Sequence, residues 1–391
     1  MTKKWFIKSL GLEIMGMSLD KKSGFLFFFV ICLLNISLSK VQAQSDEHPF
    51  TIERSADNSI KRISSIAEWE RQRWSIIKGM EEVMGELPQR IDLPPLNMQV
   101  SDTLRTDNYS RLTISFTVAK EEKVPAYLYI PHRSGVTGKL PAMLALHPTG
   151  EIGKDIVDGQ GLANRGYAKE LAERGYIVIA PDYPGFGALE EYKFDRDRYK
   201  SGTMKGIFNH MRSVDLLQKR EDVNPHKIGV IGHSLGGHNA MFVAAFDTRL
   251  KVVVSSSGWT QLGYYDTGKA AHDKYGGRLG PWAQDVYMPL LRDRYNLDDN
   301  IIPFDFHEII AVIAPRFFFS NSPVKDNNFE VNGVRKGISK SRKVYKFLNA
   351  DENLQVRYPE SGHDFPTKVR REAYQFIDKV FDHTPFEHEI E

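Results

Sequence analysis

The chain has 391 residues, 41% hydrophobic and 26% charged, with 52 Lys and Arg against 50 Asp and Glu. That composition fits an enzyme-sized folded chain and excludes disordered, collagen-like and disulfide-dense proteins. A single cysteine, Cys32, allows no disulfide framework, and the near-balanced charge makes no case for a nucleic-acid partner.

Lys21 and Lys22 precede an apolar run, Gly24 to Leu38, and Val41-Gln42-Ala43 follows before Gln44. Positive flank, short apolar stretch and small residue at the cut predict a signal peptide over 1–43, removed on export to the periplasm or beyond. The run is shorter than the roughly 20 residues a spanning helix needs, so no membrane anchor is expected in the mature form. Met17 is an alternative start. Ile31 before Cys32 is too large for a lipoprotein cleavage site. Removing 1–43 leaves 46 basic and 48 acidic residues, and no thiol.

Residues 44–60 are polar and read as an irregular lead-in. From Ser64 the apolar residues Ile66, Trp69, Trp74, Ile77, Met80, Val83 and Met84 recur at helical spacing until Pro88. Ser64 or Ser65 is placed to cap this helix, and both tryptophans read as packing residues. Three β-like runs follow: Met98 to Thr106, Arg111 to Ala119 and Val124 to Ile130. Buried strands then alternate with helices, which predicts a mostly parallel sheet with helices on both faces. The strands are Pro141–Leu146, Tyr176–Ala180, Lys227–Ile231, Lys251–Ser255, Arg316–Ser320 and Leu354–Tyr358. The helices are 161–174, 202–220, 235–246, 306–312, 338–349 and 368–381. Residues 258–305 break the alternation and read as a lid insertion.

Lys227 to Ile231 ends in Gly232-His233-Ser234-Leu235-Gly236, and an alanine-rich helix follows at once. A serine at the apex of a strand-to-helix turn is strained, and its neighbours two before and two after must be glycine. Such a serine is a candidate nucleophile; the plain alternative is a tight turn with an idle hydroxyl. Functional groups of open α/β sheets collect where strands end. Asp326 follows Arg316–Ser320, and His363 follows Leu354–Tyr358. Serine, acid and histidine, each on its own strand end, have the chain order of a nucleophile, an orienting acid and a general base. Glu330 is the second candidate acid. Asp182 reads as a turn-stabilising carboxylate, His147 as a structural hydrogen-bonder, and Asp364 as too close to His363 to orient it. An oxyanion needs two N–H donors: Leu235, just after the serine, and Thr149, since Pro148 has no N–H.

The stretches HPTGEIGK, ELAERGYIVIAPDYPGFG, VNPHKIGVIGHSLGGHNA, APRFFFSNSPVKDNNF and YPESGHDFP resemble α/β-hydrolases of the dienelactone-hydrolase and acetylxylan-esterase-like group. The resemblance implies an α/β-hydrolase domain over 97–391, with the lid at 258–305 and a helical segment, 44–96, packed on it. It implies a secreted serine esterase with a Ser234–Asp326–His363 triad, an acyl-enzyme and no cofactor or metal. A cysteine nucleophile, as in dienelactone hydrolases proper, is excluded. The aromatic residues of 258–305 suit flat sugar faces, so Trp282 and Trp259 are expected to touch a carbohydrate ester, acyl or uronic. Competing readings are a prolyl-oligopeptidase-like serine peptidase and a catalytically silent binding protein.

Overall fold

The computed structural model describes residues 50–53, 60–132, 138–194 and 198–386. The expected signal peptide lies outside them. A nine-stranded sheet carries the fold. At one edge β3 (Gln99–Arg105), β4 (Tyr109–Ala119) and β5 (Glu122–Pro131) form an antiparallel meander. The remaining strands are β6 (Leu140–Leu146), β7 (Ile177–Pro181), β8 (Val223–His233), β9 (Leu250–Ser256), β10 (Phe317–Asn321) and β11 (Leu354–Arg357). β7 pairs antiparallel with β5, and from there the sheet is parallel in the order β7-β6-β8-β9-β10-β11.

The strand sequences explain that layout. β6 and β7 are apolar at every position and buried throughout, as parallel strands covered on both faces must be. β4 alternates, and its Ile114, Phe116 and Val118 face the core. β3 is exposed along its length and bulges between Val100 and Asp102, a common state for an edge strand.

Helices cover both faces. α2 (Tyr167–Glu173) and α9 (Thr367–Phe381) bury Tyr167, Leu171, Tyr374 and Ile377 against one of them. α3 (Gly202–Lys219), α4 (Leu235–Phe246), α7 (Phe306–Ile313) and α8 (Val331–Phe347) pack on the other, and the short α5 (Lys269–Tyr275) and α6 (Leu290–Asp293) lie in the insertion. The second layer also takes in α1 (Ile66–Met84) through Trp69, Ile76, Met80 and Val83. Ser65 caps α1 by accepting from the Glu68 N–H, while the Glu68 carboxylate accepts from the N–H and hydroxyl of Ser64. No described helix is long and apolar enough to cross a membrane.

Four expectations change. Trp74 is not a packing residue: it is 59% exposed, because it sits about 140° around the helix from Trp69 at 100° per residue. The lead-in 44–60 is not all irregular, since β1 (Phe50–Glu53) pairs antiparallel with β2 (Ile60–Ile63). The helix expected over 161–174 starts only at Tyr167; before it the chain makes a 3-10 turn, Gly153–Asp158, and an irregular stretch in which Asn164 takes φ 66°. α8 begins seven residues before Ile338, at a Glu330 cap, because Gly333 and Gly337 pack closely on Thr260 and Trp259 instead of breaking it.

Candidate active site

Ser234 leaves β8 with φ 55° and ψ −121°, a conformation that costs a non-glycine residue about 1–3 kcal/mol and persists only where its surroundings enforce it. The enforcement is steric. A Cβ on Gly232 would run into the backbone of Gly236, and a Cβ on Gly236 into the Leu146 carbonyl. The Ser234 N–H donates to the Ser256 carbonyl at 2.8 Å, and its own carbonyl accepts from the His238 N–H at 2.9 Å. Leu235 is the first residue of α4, so its N–H has no acceptor within the helix.

Asp326 follows β10 in a loop that wraps its carboxylate in donors. Oδ1 accepts from the Asn328 N–H at 2.8 Å and the Phe329 N–H at 3.2 Å. Both carboxylate oxygens lie 3.0 Å from His363 Nδ1. The imidazole thus has Nδ1 engaged and Nε2 left to exchange a proton. Glu330 does something else: it accepts from the Asn332 and Gly333 N–H groups as the cap of α8.

Ser234, His363 and Thr149 open on one cavity of about 380 Å³. The Ser234 hydroxyl and the imidazole form no hydrogen bond here; such catalytic hydrogen bonds commonly tighten only as substrate is engaged. Ile152, Ile156 and Leu162 make the cavity's apolar wall, and Arg165, His233 and Asn328 its polar one. Thr149 is exposed, and its hydroxyl meets the Tyr287 hydroxyl at 3.1 Å.

The other candidates serve the frame. His147 is buried; its Nε2 accepts from the Tyr183 N–H, its Nδ1 donates to the Pro148 carbonyl, and burial holds its pKa below the usual value. Asp182 is buried too and accepts from the Lys154 ammonium at 2.6 Å and from the Lys154 and Ala188 N–H groups. Asp364 points away from the imidazole, toward Asn164 and Arg165. His233 pairs with Ser256 at 2.9 Å, and burial, then the charge of Arg165, push its pKa well down.

The aromatic insertion departs from its expected role. Trp259 is 1% exposed, and its indole N–H donates to the Ser320 hydroxyl at 3.0 Å. Trp282 is 6% exposed and stacks on His238 with ring centroids 4.2 Å apart. Neither lines the cavity, so the expected substrate contacts find no support in this packing. The arginines there are occupied as well: Arg278 donates to the Leu262 and Tyr265 carbonyls, and Arg292 pairs with Asp293. Large rings with this much apolar area were drawn into the core, where burial stabilises most. Sequence reading passed over Arg165 and Asn164. Their partners lie 199 and 200 residues away, and no local pattern marks them.

A parallel sheet that brings serine, acid and histidine in that chain order to one rim is the α/β-hydrolase arrangement, and this chain has that fold. Comparisons with known proteins narrow the class. The family model for fungal glucuronyl esterases matches residues 197–349. YtaP of Bacillus subtilis (strain 168), a hydrolase by name, is 29% identical over 77% of this chain and 97% of its own length. The 4-O-methyl-glucuronoyl methylesterase 1 of Wolfiporia cocos is 23% identical, covering 81% of this chain and 77% of the relative. Among solved structures, a glucuronoyl esterase from Solibacter usitatus superposes with TM-score 0.64 at 18% identity, over 85% of this chain and 98% of its own.

Proposed function

We propose that the protein is a serine esterase acting on carbohydrate esters, with Ser234 as nucleophile, His363 as general base and then acid, and Asp326 as the group that orients the imidazole. Ser234 Oγ attacks the ester carbonyl while His363 Nε2 takes its proton; Asp326 holds the imidazole tautomer and stabilises the imidazolium. The N–H groups of Leu235 and Thr149 receive the oxyanion. The imidazolium then protonates the leaving alcohol, and water, activated by the same nitrogen, hydrolyses the acyl-enzyme. No step calls for a metal or cofactor.

The observation that carries this reading is the strained Ser234 opening on the same cavity as a histidine whose Nδ1 is held by a buried carboxylate. Uronic-ester groups are favoured as substrate over acyl decorations, on the glucuronyl esterase match and the glucuronoyl methylesterase relative. Fluorophosphonate labelling followed by a panel of uronate methyl esters, acetylated sugars and aminoacyl amides tests it. Labelling of Ser234 with turnover of uronate esters is expected. Turnover of amides alone would favour a peptidase, and failure of the intact protein to label would end the esterase reading.

We further infer that the mature enzyme begins at Gln44 and works in the periplasm or outside the cell. The run Gly24 to Leu38 and the Val41-Gln42-Ala43 site support this. N-terminal sequencing of the exported protein checks it; a retained residue 1 or 17 would refute it.

A further inference from the structure

The histidine loop hangs from β11, a four-residue strand at the edge of the sheet that, among the described residues, pairs only with β10. No described strand supports it on its outer side, yet its imidazole has to be placed relative to Ser234 to within about an ångström for proton transfer to be efficient. Asp326 fixes the ring. Something else has to fix the backbone that carries it.

The Val324 and Lys325 N–H groups hold the start of the loop through the Pro359 and Ser361 carbonyls at 3.0 Å; at His363 itself the support comes from the irregular stretch before α2. Arg165 Nη2 donates to the His363 carbonyl at 3.0 Å, and Nη1 donates to Asp364 Oδ1 at 2.5 Å. Asn164 Nδ2 donates to the other oxygen, Asp364 Oδ2, at 2.9 Å. The orientation of the Asn164 amide is set independently, because its Oδ1 accepts from Arg370 Nη1 at 3.0 Å and from the Thr367 hydroxyl at 3.2 Å. The Asp364 carbonyl accepts from Asn321 Nδ2 at 2.8 Å. One guanidinium therefore bridges the backbone of His363 and the side chain of its neighbour. Its own side chain is 6% exposed and forms part of the cavity wall.

We propose that Arg165 and Asp364 are positioning residues that tie the His363 loop to the wall of the cavity and so hold the imidazole in register with Ser234. The proposal rests on the serine-esterase reading. It explains why the stretch 161–166 is irregular rather than helical: a helix through it would carry Asn164 and Arg165 away from the loop they hold. A lysine cannot replace the arginine, since one ammonium cannot reproduce a planar fork spanning a carbonyl and a carboxylate.

The test uses the full-length exported protein with an activated aryl ester, measuring kcat, KM, fluorophosphonate labelling rate and thermal unfolding. Asp364→Ala and Arg165→Met are expected to lower kcat about 10- to 100-fold, with KM changed less than about threefold and labelling slowed in parallel. Arg165→Lys should resemble Arg165→Met. Asp364→Asn, which keeps an acceptor for Arg165, should lose less and guards against a folding failure. The double variant should fall no further than the worse single one, as expected for two halves of one device. The low-field proton resonance of the His363–Asp326 hydrogen bond should broaden or vanish in Asp364→Ala. Asp378→Ala, which breaks the Arg174–Asp378 ion pair at the opposite end of the sheet, should lower the unfolding temperature and leave kcat unchanged.

Folded Asp364→Ala and Arg165→Met with kcat within threefold of the parent would overturn the proposal. So would Asp378→Ala lowering kcat as much, or losses that multiply in the double variant. Ser234→Ala and His363→Ala separate the two levels: turnover retained in them ends the serine reading itself, whereas turnover lost in them but kept in Asp364→Ala ends only the positioning role.

Discussion

Two regions looked functional from residue types alone, and they fared differently. The strand ends after β8 and β11 present Ser234 and His363 to one cavity, and Asp326, after β10, holds the His363 ring from behind. The segment 258–305 turns its tryptophans inward, Trp259 to Ser320 and Trp282 to His238. At the strand ends the sequence specifies an uncomfortable backbone, which would be discarded unless something used it. In the insertion it specifies only composition, and aromatic composition serves a core as well as a ligand. A conformational demand is therefore the stronger pointer to function.

The sharpest way to break this contrast is at the serine. Ser234→Ala should lower kcat by at least about 10⁴-fold and abolish fluorophosphonate labelling while the protein stays folded. Measurable labelling in that variant would move the chemistry elsewhere. The acid comes next. Asp326→Asn should cost about 10⁴-fold or somewhat less in kcat, whereas Glu330→Gln should lose about 1 kcal/mol or less of stability through its weakened cap, with kcat changed under about threefold. If the two results were exchanged, the orienting acid would have to be reassigned.

Trp259→Ala addresses the other half of the comparison. Removing a fully buried indole should destabilise the fold by about 3–5 kcal/mol, read from urea unfolding. The kcat/KM of the remaining folded fraction on uronate esters should change less than about threefold. A much larger loss would return the insertion to substrate binding.

The smallest effect is a change in acid sensitivity. His238 is buried between Phe242 and Trp282, and burial lowers its pKa to about 3. His210, also buried, falls to about 3 for the same first cause. Between the unfolded value near 6.5 and about 3, the unfolded chain binds more protons than the folded one. Stability is therefore full above about pH 6.5 and declines as pH falls, by at most about 1.4 kcal/mol per pH unit for each histidine. His238→Phe should remove one proton's share of that slope in unfolding measured from pH 7 to 4. An unchanged slope would mean that His238 is already protonated in the fold.

Much of the fold could be read in advance because it is written locally. The apolar runs of β6 and β7 announce strands buried on both faces, and Gly232-His233-Ser234-Leu235-Gly236 announces its own turn. The errors fell where a distant partner outweighs local preference. Residues 161–166 look helical, but the stretch is occupied by contacts to the His363 loop. The helix expected from Ile338 starts at Val331, and its added first turns meet Thr260 and Trp259 through Gly333 and Gly337.

By itself, then, the sequence determined the mostly parallel sheet, the strained serine and the order in which candidate groups reach the sheet's rim. Each depends on periodicity or on backbone sterics within a few residues, and these act before the chain has a tertiary structure. Only the tertiary structure decided that Asp326 rather than Glu330 faces His363, that Trp259 and Trp282 turn inward, and that Arg165 grips Asp364. Those choices depend on which side chains meet across 37 to 199 residues of chain. Such meetings follow from how helices and loops settle on the sheet, and no short stretch of sequence encodes them.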